Sequence, residues 1–114
     1  MYASTFGALG EPNRFQIVEL LRSGPHSVGE IVDALGIRQP QVSKHLRVLS
    51  GAGIVGVAPL ARRRIYHLER DKFEEMRHWV DSFERVWEAR LDSLGRYLES
   101  IDTRGGEDGT QEDR

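Results

Sequence analysis

The chain has no cysteine, which excludes disulfides, thiolate metal sites and thiol redox sensing. No apolar run approaches the roughly 20 residues of a membrane-spanning helix. The opening Met1-Tyr2-Ala3-Ser4-Thr5-Phe6 lacks the basic start and apolar core of a secretory signal, and these absences together fit a cytoplasmic protein. There is no Gly-rich phosphate loop and no clustered Ser/His/Asp set, and the four His fall on four different elements, so an enzyme is not expected. The most informative absence is local. From Ala34 to Leu68 there is no carboxylate, while Arg38, Lys44, His45, Arg47, Arg62, Arg63, Arg64 and His67 all lie inside that window. The overall net charge of -2 conceals this: residues 1–70 hold 9 basic and 5 acidic groups, whereas residues 71–100 hold 5 and 8. A positive field concentrated on one module is the footprint of polyanion binding.

The same window contains a helix-turn-helix pattern. Leu9 to Arg22 reads as a helix with Pro12 in its first turn and Gly24-Pro25 after its end, its apolar face built from Phe15, Ile17, Val18, Leu20 and Leu21. Ser27-Val28-Gly29-Glu30 has the form of a capping box, in which Ser27 caps the amide of Glu30 and Glu30 reaches back. The short helix it starts turns Val28, Ile31, Val32 and Leu35 inward, and Gly36 lets the backbone turn sharply. A further helix starts at Arg38 or Gln39 and ends at Gly53. Ile54–Ala58 and Arg64–Leu68 are β-branched or aromatic runs, expected as the arms of a hairpin with Pro59 to Arg63 at its tip. His67 is placed in that hairpin and His26 in a turn.

On a helical wheel Val42, Leu46 and Leu49 share the core side of the helix beginning near residue 38. Pro40, Lys44 and Arg47 fall opposite, flanked by Gln41 and Ser43, with Arg38 and Gln39 at the end that enters a major groove. These residue types suit duplex DNA: Gln can pair with adenine, Arg and Lys with guanine, and Ser with a base or phosphate. Arg62, Arg63 and Arg64 open the second arm of the hairpin, where they can meet phosphates or the minor groove or discourage strand pairing at a charged edge. The expected DNA-binding set is therefore Arg38, Gln39, Pro40, Gln41, Ser43, Lys44, Arg47, Arg62, Arg63 and Arg64.

From Asp71 to Glu99 there is no Pro and only Gly95. Phe73, Met76, Trp79, Val80, Phe83, Val86, Trp87, Leu91, Leu94 and Leu98 repeat at helical steps, which predicts one helix of about 29 residues, about 44 Å long. Such a stripe needs a cover, and a second copy of the chain is the expected one. The predicted homodimer interface is Phe6, Phe73, Met76, Trp79, Val80, Phe83, Trp87, Leu91 and Leu94. The expected fold is mainly α with a small β-hairpin, in the order α-α-α-α-β-β-α. Residues 1–100 read as one winged helix-turn-helix domain ending in a dimerisation helix over 71–99, and 101–114 as a disordered acidic tail.

Several segments resemble a known family. Leu9-Gly10-Glu11-Pro12-Asn13-Arg14 with Ile17 and Leu20-Leu21, Leu35-Gly36-Ile37, Gln39-Pro40-Gln41-Val42-Ser43-Lys44-His45-Leu46-Arg47-Val48-Leu49 and Ala52-Gly53-Ile54-Val55 follow the spacing of ArsR/SmtB-type winged helix-turn-helix repressors of bacteria. The resemblance spans roughly residues 5–95. It implies a homodimer that binds double-stranded operator DNA and represses transcription until an effector, here unidentified, releases it. By position it implies that Gln39, Pro40, Ser43 and Lys44 contact DNA, with Pro40 standing where other members carry Ser. The family's thiolate metal sites need Cys, and its zinc site on the last helix needs Asp-x-His, whereas Asp81 is followed at that spacing by Phe83. Glu75, His78 and Asp81 share a helix face and are the remaining metal-ligand candidates, equally explained as a solvated face. No cofactor or metal is therefore expected. A metal-responsive repressor with a non-standard site and a winged-helix protein-interaction module are the alternatives.

Overall fold

The computed structural model describes residues 2–104. Its elements are α1 (Tyr2–Leu9), α2 (Pro12–Leu21), β1 (His26–Ser27), α3 (Val28–Leu35), α4 (Gln39–Gly51), β2 (Val55–Leu60), β3 (Arg63–Leu68), α5 (Arg70–Asp81) and α6 (Phe83–Arg104). This is the expected winged helix-turn-helix, with differences in where several elements begin and end. The described residues fall into two compact units, one up to Met76 and a second from Arg77 onward, with the division inside α5.

In the first unit, Ile17, Val18, Leu21, Ile31, Val42, Leu46, Leu49, Ile54 and Val55 form the buried core, joined by Ala8 from α1. The wheel assignment of Val42, Leu46 and Leu49 holds: the three are at most 1% exposed. Phe15, assigned to the core face of its helix, instead points outward. The helix expected to begin at Leu9 begins at Pro12. Glu11 precedes a proline and is therefore extended, at φ -83° and ψ 128°. Its carboxylate accepts from the Arg14 backbone N–H at 2.9 Å and so caps α2.

The sheet has three strands in the order β1-β3-β2. His26, expected in a turn, pairs with Tyr66 in the short strand β1, and Ser27 pairs with Ile65. The hairpin β2–β3 is longer than expected: Pro59 pairs with Arg64 and Leu60 with Arg63, which leaves only Ala61 and Arg62 at the tip. Ala61 takes a positive φ of 57°, the sign a type II′ turn requires at its first central residue.

Where one helix was predicted over 71–99, α5 and α6 are separate. Ser82 lies between them, with its Oγ donating to the Trp79 carbonyl at 2.6 Å. A hydroxyl bonded back into the preceding turn is an ordinary way to disturb a helix without Pro or Gly. The tail expected from residue 101 is corrected over 101–104, which belong to α6; residues 105–114 lie outside the described residues.

Candidate nucleic-acid interface

The capping box reads as expected. Ser27 Oγ accepts from the Glu30 backbone N–H at 3.2 Å, and the Ser27 N–H donates to Glu30 Oε1 at 2.9 Å. Gly36 ends α3 in the left-handed region at φ 69°, which reverses the chain into α4 with little backbone strain. Arg38 is the N-cap of α4 but offers no side-chain cap, and Pro40 in the first turn lacks an N–H that would have no helical partner there. The far end of α4 is a Schellman motif. Gly53, at φ 77°, donates its N–H to the Ser50 carbonyl at 3.0 Å, and the Ile54 N–H reaches the Leu49 carbonyl at 3.0 Å. Leu49 and Ile54 are both fully buried, so this motif fixes the direction in which the wing leaves the helix.

Between α4 and the wing runs a groove of about 440 Å³, lined among others by Gln39, Ser43, Arg47 and Ser50 of α4 and by Arg64 and Tyr66 of β3. Gln39 Nε2 donates to Ser43 Oγ at 3.0 Å, which fixes the orientation of that amide. Arg38, Gln39, Pro40, Gln41, Lys44 and Arg47 are exposed and Ser43 is half-buried. Among the described residues, Arg38, Lys44, Arg47, Arg62 and Arg64 have no ion-pair partner, whereas Arg22, Arg70 and Lys72 elsewhere are paired with glutamates. Of these, Arg47 and Arg64 line the groove, where they can meet an external anion.

Arg63 is the exception in the wing. Its Nη2 donates to Ser27 Oγ at 2.9 Å and lies 3.2 Å from Glu30 Oε2. The structure brings Arg64, not Arg63, into the groove. Tyr66 and Ser50 were missed as lining residues, although Tyr66 lies two residues from Arg64 and so on the same strand face. Glu30 is held below the usual carboxylate range, chiefly by the Ser27 backbone N–H, with burial opposing and the Arg63 hydrogen bond assisting. Glu11 is lowered mainly by the Arg14 backbone N–H, with burial opposing and His45 adding a smaller attraction. His45 of α4 places Nε2 4.0 Å from Glu11 Oε1, while its Nδ1 is buried with no hydrogen-bond partner among the described residues.

The expected interface residues separate into two groups. Met76 is buried and Phe73 packs on the core of the first unit, and Phe6 is half-buried, so Met76 and Phe73 serve the interior of the chain. Trp79, Val80, Trp87, Leu91 and Leu94 are exposed, and the stripe continues through Leu98 and Ile101. Phe83 joins the two tryptophans, edge-on to Trp79 at 4.9 Å and tilted to Trp87 at 6.1 Å. Of the metal-ligand candidates, Glu75 is paired with Lys72 at 3.3 Å. No group of three or more His, Cys, Asp or Glu among the described residues is arranged to hold a metal ion. No helix among them is long and apolar enough to cross a membrane.

The HTH-type transcriptional regulator Rv2034 of Mycobacterium tuberculosis is 36% identical over 93 residues, covering 82% of this chain and 84% of that protein. The family model described as bacterial regulatory protein, arsR family, matches residues 11–57, the span from the cap of α2 into the wing. The chain belongs to the arsR family. It is a DNA-binding transcriptional regulator of winged-helix type and not an enzyme. The HTH-type transcriptional repressor SmtB of Mycobacterium tuberculosis is 44% identical over 61 residues, 54% of this chain and 45% of that protein. The crystal structure of the transcriptional repressor BigR from Xylella fastidiosa superposes with a TM-score of 0.59 at 30% identity, covering 75% of this chain and 84% of that one.

Proposed function

We propose that this arsR-family chain is a homodimeric repressor that binds an inverted-repeat operator and is released by something other than Cys-based sensing. The observation that carries this reading is the set of cations on α4 and the wing without ion-pair partners among the described residues, Arg38, Lys44, Arg47, Arg62 and Arg64, with Arg47 and Arg64 lining a groove that Gln39 and Ser43 also line. A neutral or carboxylate-lined groove of the same shape would not hold a phosphate backbone. Gln39 and Lys44, with Arg38, Gln41, Ser43 and Arg47, read base edges and adjoining phosphates from the start of α4. Pro40 packs against the backbone there without donating. The exposed stripe from Trp79 to Leu94 supports a twofold partner, because an apolar face of that length invites association in water. The repressor assignment is supported by the likeness to SmtB and BigR. The absence of cysteine leaves thiolate chemistry no ligand.

Selection of bound duplexes from a random pool tests this reading. The expected product is an inverted repeat with half-sites about one helical turn apart. A pool that converges on no sequence, or on a single half-site bound by a monomer, contradicts it.

A further inference from the structure

We infer that Arg63 is a positioning residue that latches the wing onto the first turn of α3, leaving Arg62 and Arg64 to meet the DNA; this rests on the DNA-binding reading above. Of the three wing arginines it alone pairs with a carboxylate among the described residues. Its guanidinium is added to a capping box that is already closed on itself. Ser27 Oγ, which caps Glu30, accepts from Arg63 Nη2 at 2.9 Å, and Glu30, whose Oε1 holds the Ser27 amide, turns its Oε2 to the same nitrogen at 3.2 Å. Ser27 is only 6% exposed, so one end of the latch is anchored in the folded unit.

The position on the strand is what makes the contact a latch. β1 holds the middle of β3, through Ser27 to Ile65 and His26 to Tyr66. Beyond Ile65 nothing in the sheet but β2 supports the strand. Arg63 closes the last ladder pair, with Leu60, before the Ala61-Arg62 tip. Holding the Arg63 side chain therefore fixes the outer half of the hairpin relative to α3, and α3 is packed against α4. Arg64, next along the strand, edges the same α3-side cavity as Arg63 but also lines the groove beside Gln39, Ser43 and Arg47, which Arg63 does not. A phosphate drawn to Arg63 would have to approach the Glu30 carboxylate, which repels it. The division of roles follows: one arginine sets the wing and its two neighbours carry the charge to the duplex.

The test uses the full chain and a duplex selected from a random pool. Glu30→Gln keeps one oxygen that can complete the capping box and removes the charge and the acceptor that face Arg63. If Arg63 were a phosphate ligand, losing a nearby acid that occupies it would tighten binding. The latch predicts the opposite sign: weaker binding, by about two- to fivefold for one exposed ion pair. Arg63→Gln should weaken binding similarly with an unchanged salt slope, and the double variant should be no weaker than either single one. A lost phosphate contact would instead flatten the slope by about 0.9 for each copy. Hydrogen exchange of the wing amides, measured without DNA, should quicken in both variants. Tighter binding by Glu30→Gln, or a flattened slope in Arg63→Gln, overturns the proposal. If the wild-type chain selects no duplex, the DNA-binding reading fails by itself. The exchange measurement still decides the latch in that case, and unchanged wing exchange in both variants overturns it.

Discussion

Trp87→Ala should take the proposed dimer apart while leaving the fold of each chain intact. Trp87 is 60% exposed and makes its ring contact with Phe83, within the second unit and outside the buried core. A tryptophan has up to about 250 Å² to cover, so about 150 Å² is open to a partner. At about 25 cal/mol per Å², covering that surface is worth up to about 4 kcal/mol per copy. Ordering and desolvation take part of this, and about 2 kcal/mol per truncated aromatic is a typical net value. A twofold interface contains the residue twice, which gives about 4 kcal/mol, or several hundredfold in the dimer dissociation constant. Sedimentation equilibrium across the micromolar range measures this directly, with far-UV circular dichroism confirming retained helix. Operator affinity should fall with the dimer, since each protomer reads one half-site. A variant that dimerises and binds its operator like the wild type refutes the assignment of the stripe to the interface.

Gln39→Ala or Lys44→Ala should relax discrimination among operator variants by about 1–3 kcal/mol per lost base contact, read by competition binding. Arg62→Ala with Arg64→Ala should instead weaken all duplexes nearly equally and flatten the salt slope; a change in sequence preference would reverse the assigned roles. Ser27→Ala removes the acceptor for both the Glu30 amide and Arg63, and should cost about 1–2 kcal/mol of stability by urea titration. Glu11 and Glu30 have folded-state pKa values below their unfolded ones. Their contribution to stability is therefore complete above the ordinary glutamate range and lost as pH falls through the lowered values. Urea midpoints should drop from about pH 6 to about pH 3 in the wild type and drop less in Glu11→Gln with Glu30→Gln. An equal drop in the double variant places the acid sensitivity elsewhere.

The parts of this fold that were legible in the sequence are those set by neighbours within one turn of helix. The capping box at Ser27 and Glu30, the left-handed Gly36 and the spacing of Val42, Leu46 and Leu49 each carry their own local cause, and each stands in the structure. The start of α2 was also written locally. An extended residue before Pro12 was signalled, but the apolar Leu9 invited an earlier start. Ile101 continues the stripe of α6 in the same way and was set aside with the polar tail. The remainder depends on residues far apart in the chain. β1 has two residues and exists because Tyr66 and Ile65 arrive beside it. The helix break at Ser82 falls at a residue that carries no Pro or Gly signal and whose hydroxyl, bonded back to Trp79, elsewhere sits harmlessly in helices. Within the candidate site, the face of α4 was readable because it obeys a single period. The roles of Arg62, Arg63 and Arg64 were not, because three adjacent arginines look alike until Glu30, 33 positions earlier in the chain, is brought to one of them.

In the proposed function, α4 and the wing are the cationic face by which a twofold pair holds duplex DNA. Binding to the selected operator must then depend steeply on salt. Each protomer offers Arg38, Lys44, Arg47, Arg62 and Arg64 without ion-pair partners among the described residues. If two protomers neutralise about 6–10 phosphates, log K should fall against log salt with a slope of roughly -5 to -9. A tightly bound operator with a slope near zero would contradict the account.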